Sequence, residues 1–143
     1  MNPKLNSIWW ALRIGLGLAP FLAGLDKFFN ILTDWNMYLS PLAASLLPIS
    51  GMAFLKVVGV IEMGVGILIL AGYTRLGGYI ASAWLIGIAL NLVTTGAFFD
   101  VAVRDLLIAL EAFALARLSE VRETADSRGR VANSLQHARA RAS

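Results

Sequence analysis

Near-continuous apolar sequence occupies residues 8–29, 52–73, 76–99 and 101–118, and turn-rich or polar segments separate the four stretches. Each comes close to the roughly 20 residues that an α-helix needs to cross a hydrocarbon core. The fourth is the shortest and carries Arg104 and Asp105 near its start, so its boundary is the least sharply marked. The pattern predicts an all-α fold: an integral membrane four-transmembrane-helix bundle with a short interfacial segment between helices 1 and 2. The first stretch outruns the about 7–15 residues of a signal-peptide core and lacks a small-residue cleavage site after it, so it reads as a span.

The connections refine this arrangement. Residues 30–51 read NILTDWNMYLSPLAASLLPISG, with Trp35 and Tyr38 as interface anchors and prolines at Pro41 and Pro48. That segment is too apolar for a solvated loop, and reads as a short helix on the outer surface or a partly re-entrant segment. Only Gly72, Tyr73, Thr74 and Arg75 join the second and third stretches, and a tight turn at 96–100 joins the third and fourth. Both pairs must then be antiparallel neighbours. Residues 1–118 form the bundle, and 119–143 form a basic tail that continues as helix to Gly129.

Small residues mark expected helix contacts. Ala11, Gly15, Ala19 and Ala23 recur every four positions, as do Ala83, Gly87, Asn91 and Thr95, while Ala102, Ala109 and Ala116 share a face. Small side chains let backbones approach closely where dispersion replaces the hydrophobic drive. Gly59, Glu62 and Gly66 also share a face, which sets an acid against a neighbouring helix.

Composition supports a lipid environment, since only 15% of the 143 residues are charged and mean hydropathy is +0.72. A soluble domain carries about 25% charge. Charge also orients the chain. Lys4, Arg75 and the six arginines after residue 116 fall on one side of a four-span arrangement. The positive-inside rule puts that side, and both termini, in the cytoplasm. The net +3 belongs entirely to residues 117–143, which hold six basic and three acidic side chains. Anionic lipids would attract such a tail, whereas nucleic acid is a poor fit without interleaved aromatics. The chain has no cysteine and its only histidine is His137 in the tail. Thiol redox chemistry, iron–sulfur clusters and bis-histidine haem are thereby excluded, and no metal site is expected.

Intramembrane charges are the candidate chemistry. A carboxylate at mid-bilayer costs roughly 2.5–3.5 kcal/mol on insertion scales and normally faces protein. Counting along the helices at about 1.5 Å per residue brings Glu62 and Glu111 near mid-depth, with Arg13 on the cytoplasmic half. The expected partnership is Arg13 with one or both acids, and Asn91 is a further buried polar candidate. Three readings stay open: an ion pair that sets register, a proton-titrating or quinone-facing acid, and a lone protonated glutamate. A second cluster, Asp26, Lys27, Lys56, Asp100, Arg104 and Asp105, gathers at the outer end. It reads as interfacial anchoring charges or as a shallow polar mouth for a headgroup or small anion.

The first stretch carries Arg13 and then Gly24-Leu25-Asp26-Lys27, and the second carries Glu62, a glycine-rich apolar run and Gly72-Tyr73-Thr74-Arg75. Over residues 8–118 this order resembles the DoxX/DoxD family of small four-helix bacterial membrane proteins. The matching positions are Arg13, Gly24, Lys27, Glu62, Gly72 and Arg75. The resemblance implies a subunit or accessory of membrane redox systems, exemplified by a small subunit of a thiosulfate–quinone oxidoreductase. The basic tail is not part of that pattern.

Together these features point to an accessory subunit of a larger redox or photosynthetic complex in the bacterial cytoplasmic membrane, without catalysis of its own. The alternatives are a quinone-linked oxidoreductase subunit, and a small transporter or lipid-binding protein. No covalent cofactor is expected; quinone or lipid is the ligand class in view.

Overall fold

The structure, a computed structural model, describes residues 2–142, and these are helical with no β-strand among them. Helix α1 spans Pro3–Asp26, a 3-10 turn spans Trp35–Tyr38, and α2 spans Pro41–Leu46. Three longer elements follow, α3 (Gly51–Leu70), α4 (Thr74–Thr94) and α5 (Phe99–Ala142). Helices α1, α3 and α4 are each long and apolar enough to cross a membrane. The stretch 101–118 falls within α5, where Arg104, Asp105, Glu111 and Arg117 dilute its apolar character.

Local chemistry explains where the helices start. Asn2, Ser40 and Ser50 lend side-chain oxygens to free backbone N–H groups at the starts of α1, α2 and α3, and Pro3 and Pro41 occupy first-turn positions. Such caps satisfy donors that have no partner within the helix. Gly72, at φ +113°, turns the chain between α3 and α4, a backbone region that side chains with a Cβ avoid. Helix α5 runs past Gly129 to Ala142 rather than stopping at the glycine, because nothing there demands a left-handed turn.

Packing couples α1 to α3 and α4 to α5, and the two pairs meet along α3–α4 and α1–α5. One core cluster joins Trp9, Leu16, Val65, Ile69, Ala81, Ala112 and Leu115. A second, at the other end, joins Ala89, Leu92 and Ala102 beneath Tyr38 and Phe98. Much of the outside is as apolar as the inside: Ile14, Leu18, Leu22, Val60, Ile67, Leu90, Leu107 and Leu110 are all exposed.

The contact faces of α1 and α4 differ from the small-residue stripes expected above. Ala11, Gly15 and Ala19 are exposed, as are Ala83 and Gly87, and a Cβ on Gly15 or Gly87 would meet nothing. The close approach runs instead through Gly17 and Gly24 of α1 against Gly59 and Gly66 of α3. A Cβ on Gly24 would collide with the Gly59 carbonyl, and one on Gly66 would lie 2.5 Å from the Gly17 carbonyl. Helix α1 carries small residues on several faces, and only the glycines of α3 select which one turns inward. On α5 the stripe is as expected, with Ala102, Ala109 and Ala116 buried.

The Gly24–Gly59 crossing also sets the axial offset of the two helices. Helix α3 begins eight residues before Gly59 while α1 ends two residues after Gly24, so α3 extends about 9 Å beyond the level where α1 ends. The turn at 35–38 packs against α3 at that end, and α2 follows it on the surface. Asn91 ties them down: its amide donates to the Tyr38 carbonyl at 2.7 Å and accepts from the Ser40 N–H at 3.2 Å.

Candidate functional site

The offset of α1 brings Lys27, just past its last turn, level with the middle of α3. There its Nζ lies 2.5 Å from Glu62 Oε2, and both side chains are nearly inaccessible, at 5% and 7%. The expected pairing of Glu62 with Arg13 is therefore not formed. Arg13 sits toward the other end of α1, where Nε donates to the Ile69 carbonyl at 3.1 Å and an Nη to the Leu70 carbonyl at 2.6 Å. Those are terminal carbonyls of α3, which lack helical partners and carry the negative end of the helix dipole.

The Lys27–Glu62 pair has a built surround. Asp26 accepts from the backbone N–H groups of Ile31 and Leu32 and from Trp35 Nε1 at 2.9 Å. These bonds hold the Trp35 ring over Lys27, with Nζ 3.7 Å from the ring centroid. A cation over an indole face gains about 0.5–2 kcal/mol, more as water is excluded. Asp105 on α5 is also buried and lies within electrostatic reach of both Lys27 and Glu62. The buried Trp84 indole N–H approaches the Glu62 carboxylate but falls outside good hydrogen-bond geometry with any described group. Trp84 was missed in the sequence, although an indole far from either interface is itself a signal that its N–H faces something polar.

The outer cluster separates into two sets. Asp26, Lys27 and Asp105 are buried, whereas Lys56, Asp100 and Arg104 are exposed. Arg104 reaches Asp105 at 3.7 Å from the surface. The six residues do not line one open mouth, because Lys27 turns to Glu62 and Asp26 to the 31–35 segment, both inside the fold. Glu111 is exposed, contrary to its expected inward position, and makes no ion pair or hydrogen bond among the described residues. Six residues of helix rotate it roughly 120° away from the face that buries Asp105. Gly72 lies beside Arg13, and Arg75 is exposed on the far side of the same turn.

A second polar region forms around that turn. Arg75 bridges Glu120 and Glu123 at 3.3 and 3.4 Å, and Arg117 pairs with Glu120 at 2.5 Å. Tyr79 donates to Glu120 at 2.7 Å, and with Arg117 and Arg75 nearby it holds that carboxyl below the usual carboxylate range. Ion pairs this exposed contribute little individually. Next to them Trp9 Nε1 donates to Ser119 Oγ at 2.7 Å in a buried contact. The Arg122 guanidinium packs over Trp9, 4.0 Å from the ring centroid. These contacts carry bundle packing a turn beyond Leu118.

Lys27, Glu62 and Asp105 form a buried polar group closed off from the surface. Glu62 pairs with the buried Lys27 ammonium, Trp35 covers it, and Asp105 stands nearby with Arg104 as its own partner. Compared with family models, curated proteins and solved structures, the chain matches none.

Proposed function

We propose that the chain is a small integral membrane accessory subunit, with four spans and both termini in the cytoplasm, that docks onto a larger membrane complex. Three long apolar helices and an apolar exterior support insertion. Helix α5 would supply the fourth span, because its buried alanines pack it along α4. The resemblance to small four-helix bacterial proteins favours the cytoplasmic membrane and a redox or photosynthetic partner. Scaffold and lipid- or quinone-facing surface are the contribution, with no catalysis by the chain alone.

The far end of α5 carries this reading. The helix continues for 24 residues beyond Leu118, about 36 Å, and residues 126–141 are exposed throughout. At 100° per residue, Val131, Leu135 and Ala138 share one face, with Arg128 and Arg139 on one side and Arg130 and Arg141 on the other. Isolated helical segments of this length are marginal in water, so a surface that accepts the apolar stripe would stabilise it. A straight helix holds these arginines about 15–35 Å from the leaflet, beyond the about 8–10 Å reach of its surface charge. An acidic partner surface is the better match.

Deleting residues 127–143 should leave insertion and bundle stability unchanged while reducing retention in the larger complex at least tenfold in mild detergent. If the truncated chain co-purifies with every partner of the full-length protein, even at high salt, the accessory reading fails. Cysteines placed at Ser50 and Gly129 test the topology. Position 50 should label only from outside and position 129 only from the cytoplasm. Labelling of both from one face would refute the four-span arrangement. A quinone-linked role, the alternative, has to be rebuilt on Lys27 and Glu62, because Arg13 lies elsewhere.

A further inference from the structure

Two arginines converge on one indole at the end of the bundle where the tail leaves it. The Trp9 ring centroid is 4.0 Å from the Arg122 guanidinium carbon and 5.1 Å from that of Arg13. The two guanidiniums are therefore no more than about 9 Å apart. Both also approach Trp10, at 4.9 Å for Arg13 and 5.9 Å for Arg122. Neither arginine forms an ion pair among the described residues. Their anchors are neutral: Arg13 holds the Ile69 and Leu70 carbonyls, and Arg122 holds Asn6 Oδ1 at 2.7 Å. Each guanidinium has five N–H donors, and these bonds use only some of them. The neighbouring acids are engaged elsewhere, Glu120 by Arg75, Arg117 and Tyr79, and Glu123 by Arg75.

We propose that Arg13 and Arg122, held against Trp9, form a binding site for a phosphate-bearing anion. Guanidinium forks match phosphate oxygens in geometry and charge. Each guanidinium keeps N–H donors free for phosphate oxygens while it rests against the indole, and exposed Trp10 lies beside both. On the topology proposed above, on which this inference rests, the site lies at the cytoplasmic leaflet, where anionic headgroups attract basic residues. Free inorganic phosphate offers the same chemistry from the aqueous side. Arg13 is half-buried and Trp9 is buried, so the site is held in place by packing rather than by chain ends.

The test uses the full-length protein in phosphatidylcholine nanodiscs doped with phosphatidylglycerol, and native mass spectrometry of lipid retained after release. Wild type should retain phosphatidylglycerol over phosphatidylcholine at least tenfold. Arg122→Gln should remove most of that preference, and Arg139→Gln/Arg141→Gln should leave it unchanged. Because Arg13 also caps α3, Arg13→Lys is the companion variant, expected to fold and to bind more weakly. In a second arm, inorganic phosphate is titrated in detergent at constant ionic strength, with Trp fluorescence as readout. Saturable phosphate binding that Arg122→Gln abolishes, without phosphatidylglycerol preference, assigns the site to a free anion. Equal retention of both lipids together with no phosphate response overturns the proposal, as does wild-type behaviour of Arg122→Gln. The detergent arm does not depend on topology, so cysteine labelling that refuted the four-span arrangement would leave it readable.

Discussion

Glu62→Leu is expected to destabilise the bundle by about 3–5 kcal/mol, because it leaves the Lys27 ammonium buried with its strongest counter-charge removed. Lys27→Met should cost a similar amount by orphaning Glu62 beside Asp105, a second acid in the same surround. The double variant Lys27→Met/Glu62→Leu should recover most of the loss, since well-packed apolar replacements of a buried pair are often neutral or stabilising. Unfolding of the detergent-solubilised protein, followed by thermal melting, would measure all three. Additive losses in the double variant would mean that the contact is not an energetic unit. A stable Glu62→Leu protein that loses function would instead make Glu62 a working acid rather than a structural one.

The second large effect is expected at the helix crossing. In Gly24→Ala the new methyl would meet the Gly59 carbonyl and, at 2.9 Å, the Met63 amide nitrogen, both backbone atoms that cannot rotate aside. Helices α1 and α3 must then separate, at a cost of about 1–3 kcal/mol or more for overpacking. Because Lys27 lies one turn from Gly24 and Glu62 one turn from Gly59, the separation should also lengthen the ion pair. Gly15→Ala is the control: nothing lies within 4 Å of its added Cβ, and it should melt like wild type. Equal melting of Gly24→Ala and Gly15→Ala would show that the crossing has room for a methyl group.

The two expectations separate packing from charge. Gly24→Ala perturbs the approach of α1 and α3 while leaving both charges present, whereas Lys27→Met/Glu62→Leu removes the charges at unchanged backbone spacing. Stability that tracks the first and not the second would assign the register of α1 to its glycines. The reverse would assign it to the ion pair.

The apolar runs and the turns between them are local features, and they sufficed to place the long helices to within five residues of their ends. The one exception is α5, whose last thirteen residues continue beyond Gly129. Gly59, Glu62 and Gly66 could be put on one inward face from spacing alone, because the rarity of an exposed acid in an apolar run points it inward. That argument failed for Glu111, where the same rarity holds but the inward face of α5 is already set by Ala102, Ala109, Ala112 and Ala116.

The chain's own order of residues thus determined the all-helical architecture, the inward acid on α3 and the concentration of net charge in the tail. Tertiary structure alone decided which cation meets Glu62 and which face of α1 turns inward. Counting depth along each helix assumes that all of them begin at one plane, whereas the Gly24–Gly59 contact ends α1 about 9 Å short of the start of α3. That shift buries Lys27 and carries Arg13 away to the carbonyls of Ile69 and Leu70. Periodicity could not have shown it: with apolar side chains on outer and inner faces alike, rotation and register follow from backbone fit and polar pairing between segments remote in sequence.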